Sequence, residues 1–190
     1  MQNLNEIKNT FDLDQTKKFL KSIKGNKFEC YFKLIMAYQL SRMELVNIEW
    51  KDIDFENSTI TIYPISQKRN NRAYYSWEFK KKENLGRTFP LLPNLKNLLL
   101  DLREQQELNK FINKNYDQTN ENFICVKDDG TRLNINTLSR NLRYIARDND
   151  LPQLLLSDLS KCLDSFVCQY ADSYDFYRAW TRFDCKFKKN

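Results

Sequence analysis

The sequence predicts a mainly α domain of the α+β class, multi-helical, with a small three-stranded antiparallel β-sheet. Three observations point there. Apolar residues recur at helical spacing through most of the chain, as at Leu95, Leu98, Leu99 and Leu102. One stretch, Thr59-Ile60-Thr61-Ile62-Tyr63, alternates strictly after an acidic corner Asp52-Ile53-Asp54-Phe55 and a Glu56-Asn57-Ser58 turn. Only 3 Gly and 4 Pro interrupt 190 residues, while 13 Phe, 10 Tyr and 3 Trp supply a core, so the chain is neither disordered nor loop-rich.

Residues 1–10 read as a flexible polar lead and residues 11–190 as one domain. Asp12 or Asp14 suits the N-cap of a helix through Thr16–Ile23. Its Phe19, Leu20 and Ile23 form one stripe, with Lys17, Lys18, Lys21 and Lys24 turned largely away, and Gly25-Asn26 stops it. A second helix carries Phe32, Leu34, Ile35, Met36 and Leu40 into the core, and a third, from about Ser41 to Glu49, leads into the hairpin.

The second strand of that hairpin ends near Ile65, and a long polar loop is expected after it. The loop holds Lys68, Arg69, Asn70, Asn71 and Arg72, an aromatic patch from Tyr74 to Phe79, and Lys80-Lys81-Lys82. Arg87–Leu91 is the third strand, ending at a proline that suits an edge. Pro93 fits the first position of a strong helix through Ile112, Asn113–Asn122 is a polar linker, and Phe123–Val126 is a brief strand before the Asp128-Asp129-Gly130 turn. Asn134 or Asn136 caps a helix whose apolar face is Leu138, Leu142 and Ile145; Arg140, Arg143 and Arg147 recur at i, i+3 and i+7 on another face. Two further helices and a basic end, Lys186–Lys189, complete the chain.

Composition narrows the function classes. No run of about 18 uncharged apolar residues exists, so no membrane span is expected. The N-terminus lacks an apolar signal-peptide stretch, and a cytoplasmic protein follows. Five scattered cysteines without CxxC spacing, and no histidine, point to reduced buried thiols and to no metal site or cofactor. A net charge of +6 suits a polyanionic partner.

Several motifs together resemble the catalytic domain of the tyrosine recombinases, the phage integrase family. Tyr38–Trp50 is similar to the family's T-G-L-R-x-x-E-L-x-x-L-x-W motif, and Asp52–Ile62 to the hairpin that follows it. Arg87–Leu91 resembles the R-x-I-P-L strand, and Phe123–Ala146 the segment ending in N-T-L-S-R-x-L. Ser157–Lys161 falls where H-D-L-R-H belongs.

In that family a tyrosine attacks a DNA phosphodiester, two arginines clamp the phosphate oxygens, and a lysine and histidine move protons. The resemblance places Ser41 at the first arginine, Ser157 and Ser160 at the histidine and second arginine, and Phe183 near the second histidine. Arg42 cannot stand in for its neighbour, because one helical step turns a side chain by about 100°. Lys68 is the one lysine candidate, and the tyrosine position would fall a few residues past Asn190. Tyr170, Tyr174 and Tyr177 read as core packing. The resemblance therefore implies a degenerate member without its catalytic residues, and not an enzyme.

Two readings remain open. The first is a phage or prophage regulator, of lysogeny for example, acting in the bacterial host cell. It binds double-stranded DNA through Arg42, Lys68, Arg69, Arg72, Lys80, Lys81, Arg87, Arg140, Arg143 and Arg147. The second is a protein-interaction module whose aromatic C-terminal segment docks on a second copy or another regulator. A recombinase with relocated catalytic residues is a minor third reading.

Overall fold

The computed structural model describes residues 10–69 and 77–162. Its elements run α1 (Leu13–Ile23), α2 (Glu29–Tyr38), α3 (Arg42–Val46), β1 (Ile53–Asp54), β2 (Thr59–Ile62), β3 (Ile65–Arg69), β4 (Trp77–Lys81), β5 (Arg87–Pro90), α4 (Pro93–Ile112), α5 (Ile135–Asp148) and α6 (Leu156–Leu159). Mostly helical with a small antiparallel sheet, the chain has the fold class its periodicities predict. Among the described residues it divides into two compact units, one running to Ser41 and resuming at Ile135, the other spanning Arg42–Asn134.

The first unit is helical. Asp12 caps α1: its carboxylate accepts from the Gln15 N–H at 2.8 Å, and the Gln15 side chain accepts from the Asp12 N–H at 3.0 Å. Gly25, at φ +76, ends the α1 segment with the left-handed geometry that glycine adopts without strain. The Glu29 carboxylate fastens that turn to α2, accepting from the Gly25 N–H at 2.6 Å and pairing with Lys33. Phe19 sits between Phe11 and Phe32, with ring centroids 5.3 and 5.8 Å away, and nearly all of α2 is buried. Leu138, Leu142 and Ala146 bury the apolar side of α5.

The second unit is built on a three-stranded antiparallel sheet in the order β1-β2-β5, with Ile60 opposite Ile53 on one side and Phe89 on the other. β5 is an edge strand ending at Pro90, as expected for a residue that cannot donate to a ladder. α4 starts at Pro93 and buries Leu95, Leu99 and Gln106. The Gln106 amide joins two segments: it accepts from Trp50 Nε1 at 3.0 Å and donates to the Ile124 carbonyl at 2.8 Å.

Three expectations are corrected. The stretch after Ile65 is not all loop: β3 and β4 form a second antiparallel sheet, with Lys68 opposite Glu78 and Ser66 opposite Lys80. Lys68 therefore lies within a strand and not in a loop. α3 stops at Val46, because Asn47 Nδ2 turns back to the Met43 carbonyl at 2.8 Å and Glu49 pairs with Phe123. Phe123–Val126 forms isolated bridges and no strand. The N-terminal lead before Thr10, Arg72, Phe183, Cys168, Cys185 and the two helices expected beyond Cys162 lie outside the described residues. Cys30, Cys125 and Cys162 are buried. Among the described residues no helix is long and apolar enough to cross a membrane.

Candidate nucleic-acid interface

The charge excess is uneven. Residues 10–41 and 135–162 hold ten Lys and Arg against six Asp and Glu, whereas residues 42–134 hold fifteen against fourteen. The first unit thus carries most of the positive surplus among the described residues, shared between the exposed lysines Lys17, Lys18 and Lys21 of α1 and the arginines of α5. Arg140, Arg143 and Arg147 are exposed there, and so is Tyr144, which shares their stripe at 48% exposure. Arg147 is held by Asp148 at 2.8 Å and lies over the Tyr144 ring, 5.2 Å from its centroid. Among the described residues Arg140 and Arg143 have no ion pair. Seven residues of helix make the stripe about 10 Å long.

In the second unit several of the basic candidates already have partners. Lys81 Nζ lies 2.6 Å from Asp52 Oδ2 and 3.1 Å from Glu49 Oε1, and it sits over the Tyr63 ring. Arg87 donates to Glu44 Oε1 at 2.7 Å and stacks near Phe89. Burial pushes the Glu49 carboxyl up, but the hydrogen bonds and charges of Lys51 and Lys81 outweigh it and hold Glu49 below the usual glutamate value. Lys81 and Arg87 are thus positioning groups in this fold, while Arg42, Lys80 and Lys82 are exposed and carry no ion pair among the described residues.

Sequence reasoning did not single out Arg132. Its guanidinium covers the Phe123 ring 3.5 Å from the centroid and donates to the Val46 carbonyl and to Asn47 Oδ1. Burial lowers its pKa. The one cue in the sequence was an arginine two residues after Gly130, indistinguishable there from a surface charge.

The hydroxyl-bearing positions are plain in geometry. Ser41 follows Gln39, which closes α2 in the left-handed region at φ 51, and it is exposed just before α3. Ser157 is exposed in α6, and Ser160 Oγ donates to its carbonyl at 2.8 Å. Between them Asp158 is buried; it accepts from the Leu155 N–H at 3.3 Å and from Lys161 Nζ at 2.7 Å, pinning the start of α6.

No protein-family model matches the sequence. A tyrosine recombinase XerC-like protein of Caldanaerobacter subterraneus subsp. tengcongensis is 30% identical over 108 residues, covering 53% of this chain and 28% of the relative. Among solved structures, the Tn1549 transposon integrase in complex with transposon right end DNA superposes with a TM-score of 0.64 at 17% identity, covering 86% of this chain and 54% of that one. This is a tyrosine-recombinase fold. XerA recombinase gives a TM-score of 0.59 at 13% identity over 90% of this chain and 54% of that one. XerH recombinase bound to its difH substrate gives 0.60 at 17%, over 94% and 48%. The chain spans about half the length of these structures and 28% of the curated relative. The resemblance aligns Gln39 with the glycine of the T-G-L-R motif, and the left-handed backbone of Gln39 is one that glycine adopts without strain.

Proposed function

We propose that this recombinase-fold chain binds duplex DNA without cutting it and serves as a phage or prophage regulator, for example of lysogeny. The observation that carries the reading is the α5 stripe, where Arg140 and Arg143 stand exposed and without ion pairs among the described residues, beside exposed Tyr144. About 10 Å of duplex axis carries about six phosphate charges, so a stripe of that length meets enough negative charge to occupy every arginine on it. Lys68 and Arg69 in β3, Lys80 in β4 and Arg42 in α3 add further basic positions, and the sequence adds Arg72. Contacts of this kind hold the phosphate backbone and carry no sequence information by themselves. The support from relatives is that similarly folded recombinases were solved in complex with transposon end DNA and with difH.

The inactive reading rests on Ser41, Ser157 and Ser160 standing where the resemblance calls for two arginines and a histidine. A serine hydroxyl supplies neither the fixed charge nor the fork of an arginine, and losing one transition-state donor alone costs about 10²–10³ in rate. Duplex DNA and a nicked suicide duplex incubated with the full chain, then run on native and denaturing gels, test both halves. Retardation without a covalent adduct is expected. An adduct that survives denaturation contradicts inactivity, and no retardation at about 50 mM salt contradicts DNA binding.

A further inference from the structure

Between the base of the β3–β4 hairpin and the turn after α3, within the second unit, lies an open cavity of about 670 Å³. That is inside the range of small-ligand pockets, about 300–1,000 Å³. Its wall includes Asn47, Ser66, Lys80, Lys82, Asn84 and Phe123.

The charges in the wall do not all cancel. Glu49 carries Lys51 and Lys81, and Lys81 is also held by Asp52. That leaves Lys80 and Lys82, both exposed and without ion pairs among the described residues, against Glu83 alone. The cavity therefore retains a surplus of positive charge on two side chains two residues apart.

Phe123 gives the same cavity a flat aromatic surface. Arg132, which does not line the cavity, covers one face of the ring at 3.5 Å from its centroid. Arg132 is itself held by the Val46 carbonyl and Asn47 Oδ1, and Asn47 Nδ2 donates to the Met43 carbonyl at 2.8 Å. The ring is thus held by Arg132 before any ligand arrives, which lowers the ordering cost of stacking on it. Asn84 adds an amide able to donate and accept, and Ser66 Oγ, which donates to the Lys80 carbonyl at 3.0 Å, keeps its acceptor capacity.

We infer that this cavity is a nucleoside-phosphate site, in which a base stacks on Phe123 and the phosphate lies between Lys80 and Lys82. The chemistry is shared by a free mononucleotide and by an unpaired nucleotide at the end of a DNA strand. Unlike the duplex reading, which rests on α5, it requires a base outside the duplex stack, since a base inside a duplex has both faces occupied by its neighbours.

The test titrates the full chain with AMP, and separately with a DNA hairpin ending blunt or in a two-nucleotide overhang. Wild type is compared with Phe123→Leu and with Lys80→Gln/Lys82→Gln, each checked for a native melting transition. Saturable AMP binding assigns the free nucleotide, and an overhang preference without AMP binding assigns the strand end. In either case each variant should weaken the interaction about tenfold. No AMP binding up to about 1 mM together with equal affinity for blunt and overhang DNA overturns the inference. Binding unchanged in the variants overturns it too. Should Phe123→Leu not fold, the lysine pair, on exposed side chains, decides through AMP affinity or the overhang-to-blunt ratio, since Lys80 also serves the duplex reading. Arg140→Glu/Arg143→Glu, which alters blunt-duplex binding under the α5 reading, should leave AMP affinity unchanged, so the two readings fail separately.

Discussion

Lys81 Nζ on β4 lies 2.6 Å from Asp52 Oδ2, with the two side chains only 13% and 3% exposed. The pair anchors the β3–β4 hairpin to the turn before β1, and Glu49 completes it from 3.1 Å. Replacing Lys81 with methionine leaves two carboxylates without their shared cation in a largely buried place. Removing one member of such a pair costs about 3 kcal/mol. Urea denaturation of Lys81→Met should show that loss with an unaltered slope, and a midpoint equal to wild type would mean that the pair does not hold the hairpin.

Acid should loosen the same corner. Glu49 has a folded-state pKa below its ordinary 4.5, despite burial, through Lys51 and Lys81. A depressed carboxylate contributes stability in full above the unfolded value and loses it as pH falls through the folded value. Asp117 and Asp129, held low by hydrogen bonds from Thr119 and Thr131, act in the same direction. Melting temperature should therefore fall below about pH 4.5, and less steeply in Glu49→Gln than in wild type. Identical pH profiles for the two would rule Glu49 out as a contributor.

Gln39 closes α2 at φ 51, where side chains with a Cβ are strained. Glycine there removes a strain of about 1–2 kcal/mol while adding unfolded-state freedom of about 0.5–1 kcal/mol. Gln39→Gly should thus match or exceed wild type by up to about 1.5 kcal/mol, whereas Gln39→Val, branched at Cβ, should fall below it. The reverse order in denaturation midpoints would contradict the left-handed cap.

Much of the fold was legible because the relevant signals are local. Pro93 and the leucines of α4, the alternation of β2, and Asp12 ahead of α1 each act within a few residues. The β3–β4 hairpin was hidden because Lys68-Arg69-Asn70-Asn71 reads as turn and charge, which masks a period of two until the opposing strand is in place. The candidate interface was legible as a set of basic residues but not as a set of available ones. Lys81 and Arg87 looked like free surface charge, yet their partners Asp52 and Glu44 lie 29 and 43 residues away. Arg140 and Arg143 stayed available because the helical period that gathers them also keeps them off the buried face of α5.

The most direct measurement is a fluorescence-anisotropy titration of a labelled duplex across a salt series, with wild type and Arg140→Glu/Arg143→Glu side by side. Both substitutions replace exposed side chains, so the fold should persist. Wild type should bind with a micromolar-range Kd at about 50 mM salt, and log Kd should rise steeply with log salt. The double variant should bind more weakly at every salt, with a slope smaller by about two phosphate contacts. A wild-type chain that does not bind at about 50 mM salt, or a double variant with the same affinity and slope, would contradict the account.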